Sequence, residues 1–189
     1  MITPLKLIGI LWAIWLIGWF AAAPWSWRTV ARQSLGNRLL HLAVIASGAA
    51  LYFRHPWTPH RLDERLFPAT AAVPWIGLAL VVCGLGFSVW ARVHLGRLWS
   101  GSVTLKAGHT IVKTGPYGIT RHPIYTGMLL AALGTSLAIG TAAAAAGFVL
   151  LCVGFVIKSG QEERLLRGHF GEAYEEYRRH MRRLIPYVW

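Results

Sequence analysis

Five long apolar runs limit what this chain can fold into more than any other feature of its sequence. Of its 189 residues, 55% are hydrophobic and only 14% are charged, whereas a soluble domain carries about 25% charged residues. A helix that crosses a bilayer needs about 20 predominantly apolar residues. The runs therefore predict an all-α fold and a polytopic integral membrane protein.

The ends of these runs predict where each membrane span begins and ends. Only Gly140 separates the last two runs, which predicts a tight helical hairpin whose alanines and glycines allow close packing. Beyond the hairpin, apolar residues recur at helical spacing from Glu162 onwards and predict a cytoplasmic amphipathic tail helix. The five predicted spans are residues 5–23, 35–53, 73–91, 124–139 and 141–157.

The positions of the basic residues predict the orientation of the chain in the membrane. With five spans and a cytoplasmic C-terminus, the inner segments 24–38, 92–123 and 158–189 hold 15 of the 19 Lys and Arg residues. This asymmetry favours a multi-pass protein with the N-terminus outside and the C-terminus in the cytoplasm. The net charge of +12 is then explained by contacts with membrane lipid headgroups, so no nucleic-acid partner is expected.

No composition change or internal repeat divides the chain, so residues 1–189 are expected to form a single membrane-embedded domain. Cys83 and Cys152 each lie alone in an apolar run and indicate neither a disulfide nor a metal site. His109 and His122 form a poor ligand set without a nearby Cys or Asp, and no metal is expected.

Two polar segments, 92–123 and 158–189, are expected on the same cytoplasmic face, where the hairpin joins them. Pro123 suits the first turn of a helix, and the residue before a proline favours extended backbone. The free N–H groups of that helix start, beside Arg121 and His122, can hold an anionic group. Anchoring of Arg121 to lipid phosphate is the structural alternative. Glu162, directly after the hairpin, calls for a cationic ligand or a basic partner.

The chain resembles a known enzyme family in these segments. The sequence HTIVKTGPYGITRHPIYTG at 109–127, a hydrophobic hairpin, EERLLRGHFGEAYEEY at 162–177 and IPY at 185–187 are similar to the isoprenylcysteine carboxyl methyltransferase family. The resemblance covers residues 75–187 and leaves the first two spans, within 5–53, as accessory. It implies a multi-span membrane enzyme that uses S-adenosylmethionine and is related to the membrane phospholipid N-methyltransferases.

The resemblance also implies a role for individual residues. Arg121 and His122 are the implied catalytic residues, and Lys158, at the position of a family arginine, is implied to bind the substrate, as Arg121 also could. Ser102 stands where the family has a glutamine. The implied cofactor-binding residues are Ser102, His109, Thr110, Ile111, Val112, Tyr117, His122, Pro123, Ile124, Tyr125 and Glu162.

These residues suit methyl transfer to a lipophilic acceptor that enters sideways from the bilayer, nominally the carboxylate of a prenylated cysteine. Alignment of donor and acceptor is the main requirement, and an ionised carboxylate acceptor needs no general base. An amine or thiol acceptor would need one, with His122 or Glu163 as candidates. The alternatives are a phospholipid or thiol methyltransferase, an NADPH-dependent membrane reductase of the sterol type, and a non-enzymatic membrane scaffold.

Overall fold

Six helices account for most of the chain in a computed structural model that describes residues 2–25, 29–32, 34–53, 59–68, 70–99, 104–106, 108 and 110–186. Thr3, Ser34 and Thr141 cap the first, second and fifth helices, because each hydroxyl accepts a hydrogen bond from a backbone N–H of the first turn. The helices are α1 (Pro4–Ala21), α2 (Leu35–Ala50), α3 (Ala72–Leu95), α4 (Pro123–Ile139), α5 (Ala142–Phe170) and α6 (Glu172–His180).

Three of these helices are long and apolar enough to cross a membrane: α1, α3 with the turn that follows it, and α5. The helix α4 is also apolar but has only 17 residues. The prediction of a membrane protein is therefore confirmed, with three candidate spans. The predicted boundaries agree with α1, α2, α3 and α4 to within four residues at each end.

Glycines set the spacing between the helices around the core. A Cβ atom at Gly84 of α3 would lie 2.5 Å from the carbonyl oxygen of Gly127 in α4, so the two backbones are in contact. The same holds for α2 and α5, where a Cβ at Gly147 would lie 2.7 Å from the Gly48 oxygen. The small residues of the predicted hairpin therefore pack closely, and at Gly147 they do so against α2.

The hairpin turn is formed as the sequence predicts. Gly140 ends α4 in the left-handed region with φ 73°, a conformation that favours glycine, and α5 begins two residues later. The segment before the third span caps this turn, since the Leu66 N–H donates to the Gly140 oxygen and the Ala142 N–H donates to the Glu64 oxygen.

Two features differ from the expectation. Residues 158–170 continue α5 as one 29-residue helix, so the predicted tail helix is limited to α6, which follows a break at Gly171 with φ 54°. A short antiparallel pair, β1 (Thr29–Arg32) with β2 (Thr104–Lys106), adds two strands to the otherwise helical fold. The sequence pattern gave no alternation that would have indicated these strands.

Candidate active site

A cavity of about 220 Å³ lies where α4 begins and where α5 emerges beyond its apolar half. Its lining residues on α1, α2 and the end of α3 are all apolar. Its polar lining residues lie in the loop before α4 and on α4, α5 and α6. The lining includes Trp19, Leu42, Ile45, Trp99, Tyr117, His122, Tyr125, Lys158, Glu162, Tyr174 and Tyr177.

Two of the predicted site residues, His122 and Tyr125, line the cavity at the start of α4. Pro123 is the first residue of the helix, where its missing N–H leaves no bond unmade, and His122 precedes it with φ −126° and ψ 61°. One helical turn brings Tyr125 beside His122, so their rings stack with centroids 5.4 Å apart. The proline thus fixes the position of an imidazole and a phenol side by side.

Glu162 of α5 contacts both His122 and Tyr125. The Tyr125 hydroxyl donates to Glu162 Oε2 at 2.8 Å, and His122 Nδ1 lies 3.6 Å from the same oxygen. The Glu162 side chain is 33% exposed, so its carboxylate remains open towards the cavity. A carboxylate held in this way, with aromatic rings beside it, can accept hydrogen bonds from hydroxyl or ammonium groups.

Lys158 lies one turn before Glu162 on the same helix and contributes a positive charge to the cavity. Its Nζ is 5.1 Å from the centroid of the Tyr125 ring, a distance at which the ring face attracts a cation. The Phe155 ring also stacks on this phenol, with centroids 5.1 Å apart. Lys158 therefore lines the cavity beside an aromatic ring.

Tyr117 is held by the C-terminal part of the chain. It lies in a short 3-10 turn, Gly115–Gly118, and its backbone oxygen accepts a hydrogen bond from the Tyr177 hydroxyl at 2.6 Å. Burial raises the pKa of the Tyr117 phenol well above its ordinary value, and the nearby Glu162 charge raises it further. Burial raises the pKa of Tyr177 as well. Both phenols are neutral donors at physiological pH.

A comparison with known proteins shows the family to which this sequence is similar. The isoprenylcysteine carboxyl methyltransferase (ICMT) family matches residues 75–168. A probable protein-S-isoprenylcysteine O-methyltransferase of Oryza sativa subsp. indica is 30% identical over 135 residues, which cover 68% of this chain and 71% of the relative. This chain belongs to the isoprenylcysteine carboxyl methyltransferase family. As a member of that family it is a methyltransferase.

Two further relatives match the sequence of this chain over different lengths. Protein-S-isoprenylcysteine O-methyltransferase of Homo sapiens is 27% identical over 161 residues, covering 82% of this chain and 56% of the relative. The protein of that name from Schizosaccharomyces pombe is 34% identical over 101 residues, covering 52% of this chain and 43% of the relative. The family match includes α3, α4 and most of α5.

The structure brings most of the residues implied by the ICMT resemblance to one cavity. Ser102 and His109 lie outside the described residues. Pro123 is buried directly behind the wall as the first residue of α4. The implied residues that line the cavity are Thr110, Ile111, Val112, Tyr117, Arg121, His122, Ile124, Tyr125, Lys158 and Glu162.

Arg121 has a different set of contacts from the one expected for a residue that binds cofactor or substrate. Its Nε donates to Glu163 at 2.8 Å, and its Nη1 donates to the backbone oxygens of Arg178 and Met181. The Arg121 and His122 N–H groups donate to the oxygens of Arg182 and Arg183. The Arg121 guanidinium and the N–H groups of Arg121 and His122 therefore bind the C-terminal part of the chain.

Several cavity residues were not predicted from the sequence. Trp19, Leu42 and Ile45 come from α1 and α2, outside the residues matched by the ICMT family. Tyr174 and Tyr177 lie in the part of the chain that was predicted to form the amphipathic tail helix, and they are buried, at 2% and 5% exposure, and line the cavity. Their spacing of three residues indicated a buried face, although not the surface that it meets. Among the described residues, no group of three or more His, Cys, Asp or Glu side chains could hold a metal ion.

Proposed function

We propose that this chain transfers a methyl group from S-adenosylmethionine to the carboxylate of a prenylated cysteine at the membrane surface. The observation that carries the proposal is that one cavity is lined both by polar residues, Glu162 and Tyr125 (the polar end), and by apolar residues of α1 and α2 (the apolar end), and that Lys158, beside Tyr125, lines it too. The names of the relatives from rice, yeast and human support the same acceptor.

The polar end fits the chemical groups of the cofactor. Glu162 can accept hydrogen bonds from ribose hydroxyls or pair with the amino group, since its carboxylate is open to the cavity. Tyr117 and Tyr125 can place neutral aromatic groups beside a cationic sulfur. The cofactor supplies an electrophilic methyl group on a positively charged sulfur. Thr110, Ile111, Val112, His122, Pro123 and Ile124 complete this proposed site, with Ser102 and His109 assigned from the resemblance alone.

Lys158 is the residue proposed to hold the acceptor. Its ammonium group beside the Tyr125 ring can pair with a carboxylate while the attached apolar chain lies against Trp19, Leu42 and Ile45. Lysine gives a single point charge rather than the planar fork of an arginine, so one carboxylate oxygen remains available to react. An ionised carboxylate needs no general base, and the chain then serves to align the acceptor and to exclude water.

An amine or thiol acceptor would need a general base, and the described contacts leave His122 for that role. Of the two candidate bases, Glu163 is bound to Arg121 and is not among the residues that line the cavity. His122 remains at the cavity, between Glu162 and Glu163. It is proposed to position Glu162, while Arg121 is proposed to position the loop before α4.

The proposed arrangement in the membrane has five spans, α1 to α5, within a single domain of residues 1–189. The N-terminus is outside and α6 is in the cytoplasm, so the cofactor enters from the cytoplasm and the acceptor from the bilayer. The position of 15 of the 19 Lys and Arg residues supports this orientation. In sealed vesicles, a Glu176→Cys variant should react with an impermeant maleimide only from the cytoplasmic face.

The test of the reaction is transfer of a tritiated methyl group to N-acetyl-S-farnesylcysteine by the purified protein in detergent. We expect label in the base-labile methyl ester, and no oxidation of NADPH under the same conditions. Transfer to a phospholipid amine or to a thiol, without ester formation, would replace the proposed acceptor by one of the alternatives. Absence of transfer to every acceptor would contradict the proposal.

A further inference from the structure

Two consecutive glutamates of α5 face different surroundings. Neighbouring residues of an α-helix point about 100° apart, so Glu162 and Glu163 project from α5 in different directions. The Glu162 side chain is 33% exposed and open to the cavity, whereas that of Glu163 is only 6% exposed. The methyl-transfer proposal leaves Glu163 without a role, although its carboxylate is the more deeply buried of the two.

Glu163 lies at the centre of a cluster of basic side chains. Its Oε1 is 2.8 Å from Arg121 Nε and 3.2 Å from His122 Nε2, both at the start of α4. Its Oε2 is 3.5 Å from Arg178 Nε in α6, and its Oε1 is 3.9 Å from Arg183 Nε beyond α6. One carboxylate thus joins three separate stretches of the chain.

These contacts hold the C-terminal segment, residues 172–186, against the start of α4. The Arg121 and His122 N–H groups donate to the oxygens of Arg182 and Arg183 at 2.8 and 3.2 Å. The Thr126 hydroxyl donates to the oxygen of Leu184 at 2.7 Å. The C-terminal segment follows the residues matched by the ICMT family and supplies one wall of the cavity through Tyr174 and Tyr177.

We propose that Glu163 is a positioning residue that seats the C-terminal segment, and that the cofactor site is complete only when this segment is seated. The inference rests on the proposed cofactor site. The guanidinium groups of Arg121, Arg178 and Arg183 repel one another, and Glu163 is the carboxylate that all three approach. Without the Glu163 charge the segment keeps its backbone hydrogen bonds but loses its ionic contacts to the start of α4, which weakens the hold of Tyr177 on the backbone of Tyr117.

The experiment compares the variant Glu163→Gln with the control Glu172→Gln in the purified full chain. Both substitutions remove one carboxylate charge, but Glu172 pairs with Arg179 on the surface, with a side chain that is 77% exposed. Binding of S-adenosylhomocysteine is measured by calorimetry. Seating is measured separately by limited trypsin digestion, because Arg178, Arg179, Arg182 and Arg183 are cleavage sites within the segment.

We expect Glu163→Gln to weaken S-adenosylhomocysteine binding by about tenfold or more and to accelerate tryptic cleavage of the segment, with saturating ligand restoring protection. In activity assays the KM for the cofactor should rise much more than the KM for the acceptor. Glu172→Gln should match the unmodified protein. Arg178→Gln, which removes a partner from the segment and leaves α5 unaltered, should give a smaller change in the same direction, with cleavage compared at Arg179, Arg182 and Arg183 only, because this variant lacks the site at 178.

The outcomes separate this inference from the proposed function. No ligand binding by the unmodified protein would contradict the proposed cofactor site itself. Unaltered binding and cleavage in Glu163→Gln would overturn the positioning role alone. If Glu163→Gln does not fold in detergent, Arg178→Gln decides, because unchanged cleavage and affinity in that variant would also overturn the inference.

Discussion

Replacing Glu162 by glutamine keeps the shape of the side chain and removes the charge that faces the cavity. The Glu162 carboxylate accepts a hydrogen bond from the Tyr125 hydroxyl at 2.8 Å and lies 3.6 Å from His122 Nδ1. In the proposed site the same carboxylate also accepts bonds from the cofactor. Glu162→Gln is therefore expected to weaken cofactor binding without unfolding the protein.

The size of the effect follows from the exposure of the side chain. A hydrogen bond to a charged group contributes about 1.5–3 kcal/mol. The Glu162 side chain is 33% exposed, so water screens part of its charge and the lower half of that range applies. A loss of about 1.5–2 kcal/mol corresponds to roughly 10- to 30-fold weaker binding.

Titration calorimetry with S-adenosylhomocysteine measures this change. Tyr125→Phe should cost less, because it removes a neutral donor, and the double variant should lose less than the sum, since the two side chains share one hydrogen bond. The control is Glu176→Gln, whose 57% exposed side chain pairs with Arg179 at 3.5 Å. Affinity of Glu162→Gln within twofold of the unmodified protein would refute the reasoning.

The apolar end of the cavity and the helix crossings give two further predictions. Leu42→Trp should fill the cavity next to α2 and lower the rate of methyl transfer to a farnesylated acceptor about tenfold, which is the effect of losing one or two methylene contacts. The affinity for S-adenosylhomocysteine should be unchanged. Leu39→Trp, on the same helix and 57% exposed outside the cavity, is the control, and equal rates in both variants would contradict the assignment. Gly84→Ala should lower stability by about 1–3 kcal/mol, because the added Cβ would lie 2.5 Å from backbone atoms of α4. Gly86→Ala, where a Cβ meets nothing within 4 Å, should leave the thermal denaturation midpoint unchanged or higher, and a drop as large as that of Gly84→Ala would refute the close crossing.

The helices were predictable because their signals are local. Pro123 predicts a helix start and Gly140 predicts a turn, and both are found where expected, while three of the five apolar runs form helices long enough to be candidate spans. The extension of α5 to Phe170 was not predicted, because Lys158 and Glu162 end the apolar run without ending the helix. Charge marks the edge of an apolar environment, whereas helical backbone continues until a residue such as Gly171 interrupts it.

The candidate site was predictable where the family motifs carry it. Tyr117, Tyr125 and Glu162 meet at one cavity, as the resemblance implied. The contacts of Arg121 were not predictable, because its partners lie 42 to 60 residues further along the chain and only the folded C-terminal segment brings them near. Sequence spacing identifies residues on one helix face but contains no information on which distant segment covers that face.

The first two helices have a larger part in the proposed reaction than their lack of family motifs indicates. The helix α1 packs on α3 and α4, whereas α2 packs on α5. Trp19 and Leu42 therefore approach the cavity from different sides of the α4–α5 hairpin, and the Leu42 side chain, 42% exposed, also faces the surroundings of the protein. An acceptor that arrives through the bilayer would meet this part of the wall first. In the proposed reaction, the family motifs would supply the chemistry of the polar end, while α1 and α2 would select the apolar chains that can reach Lys158.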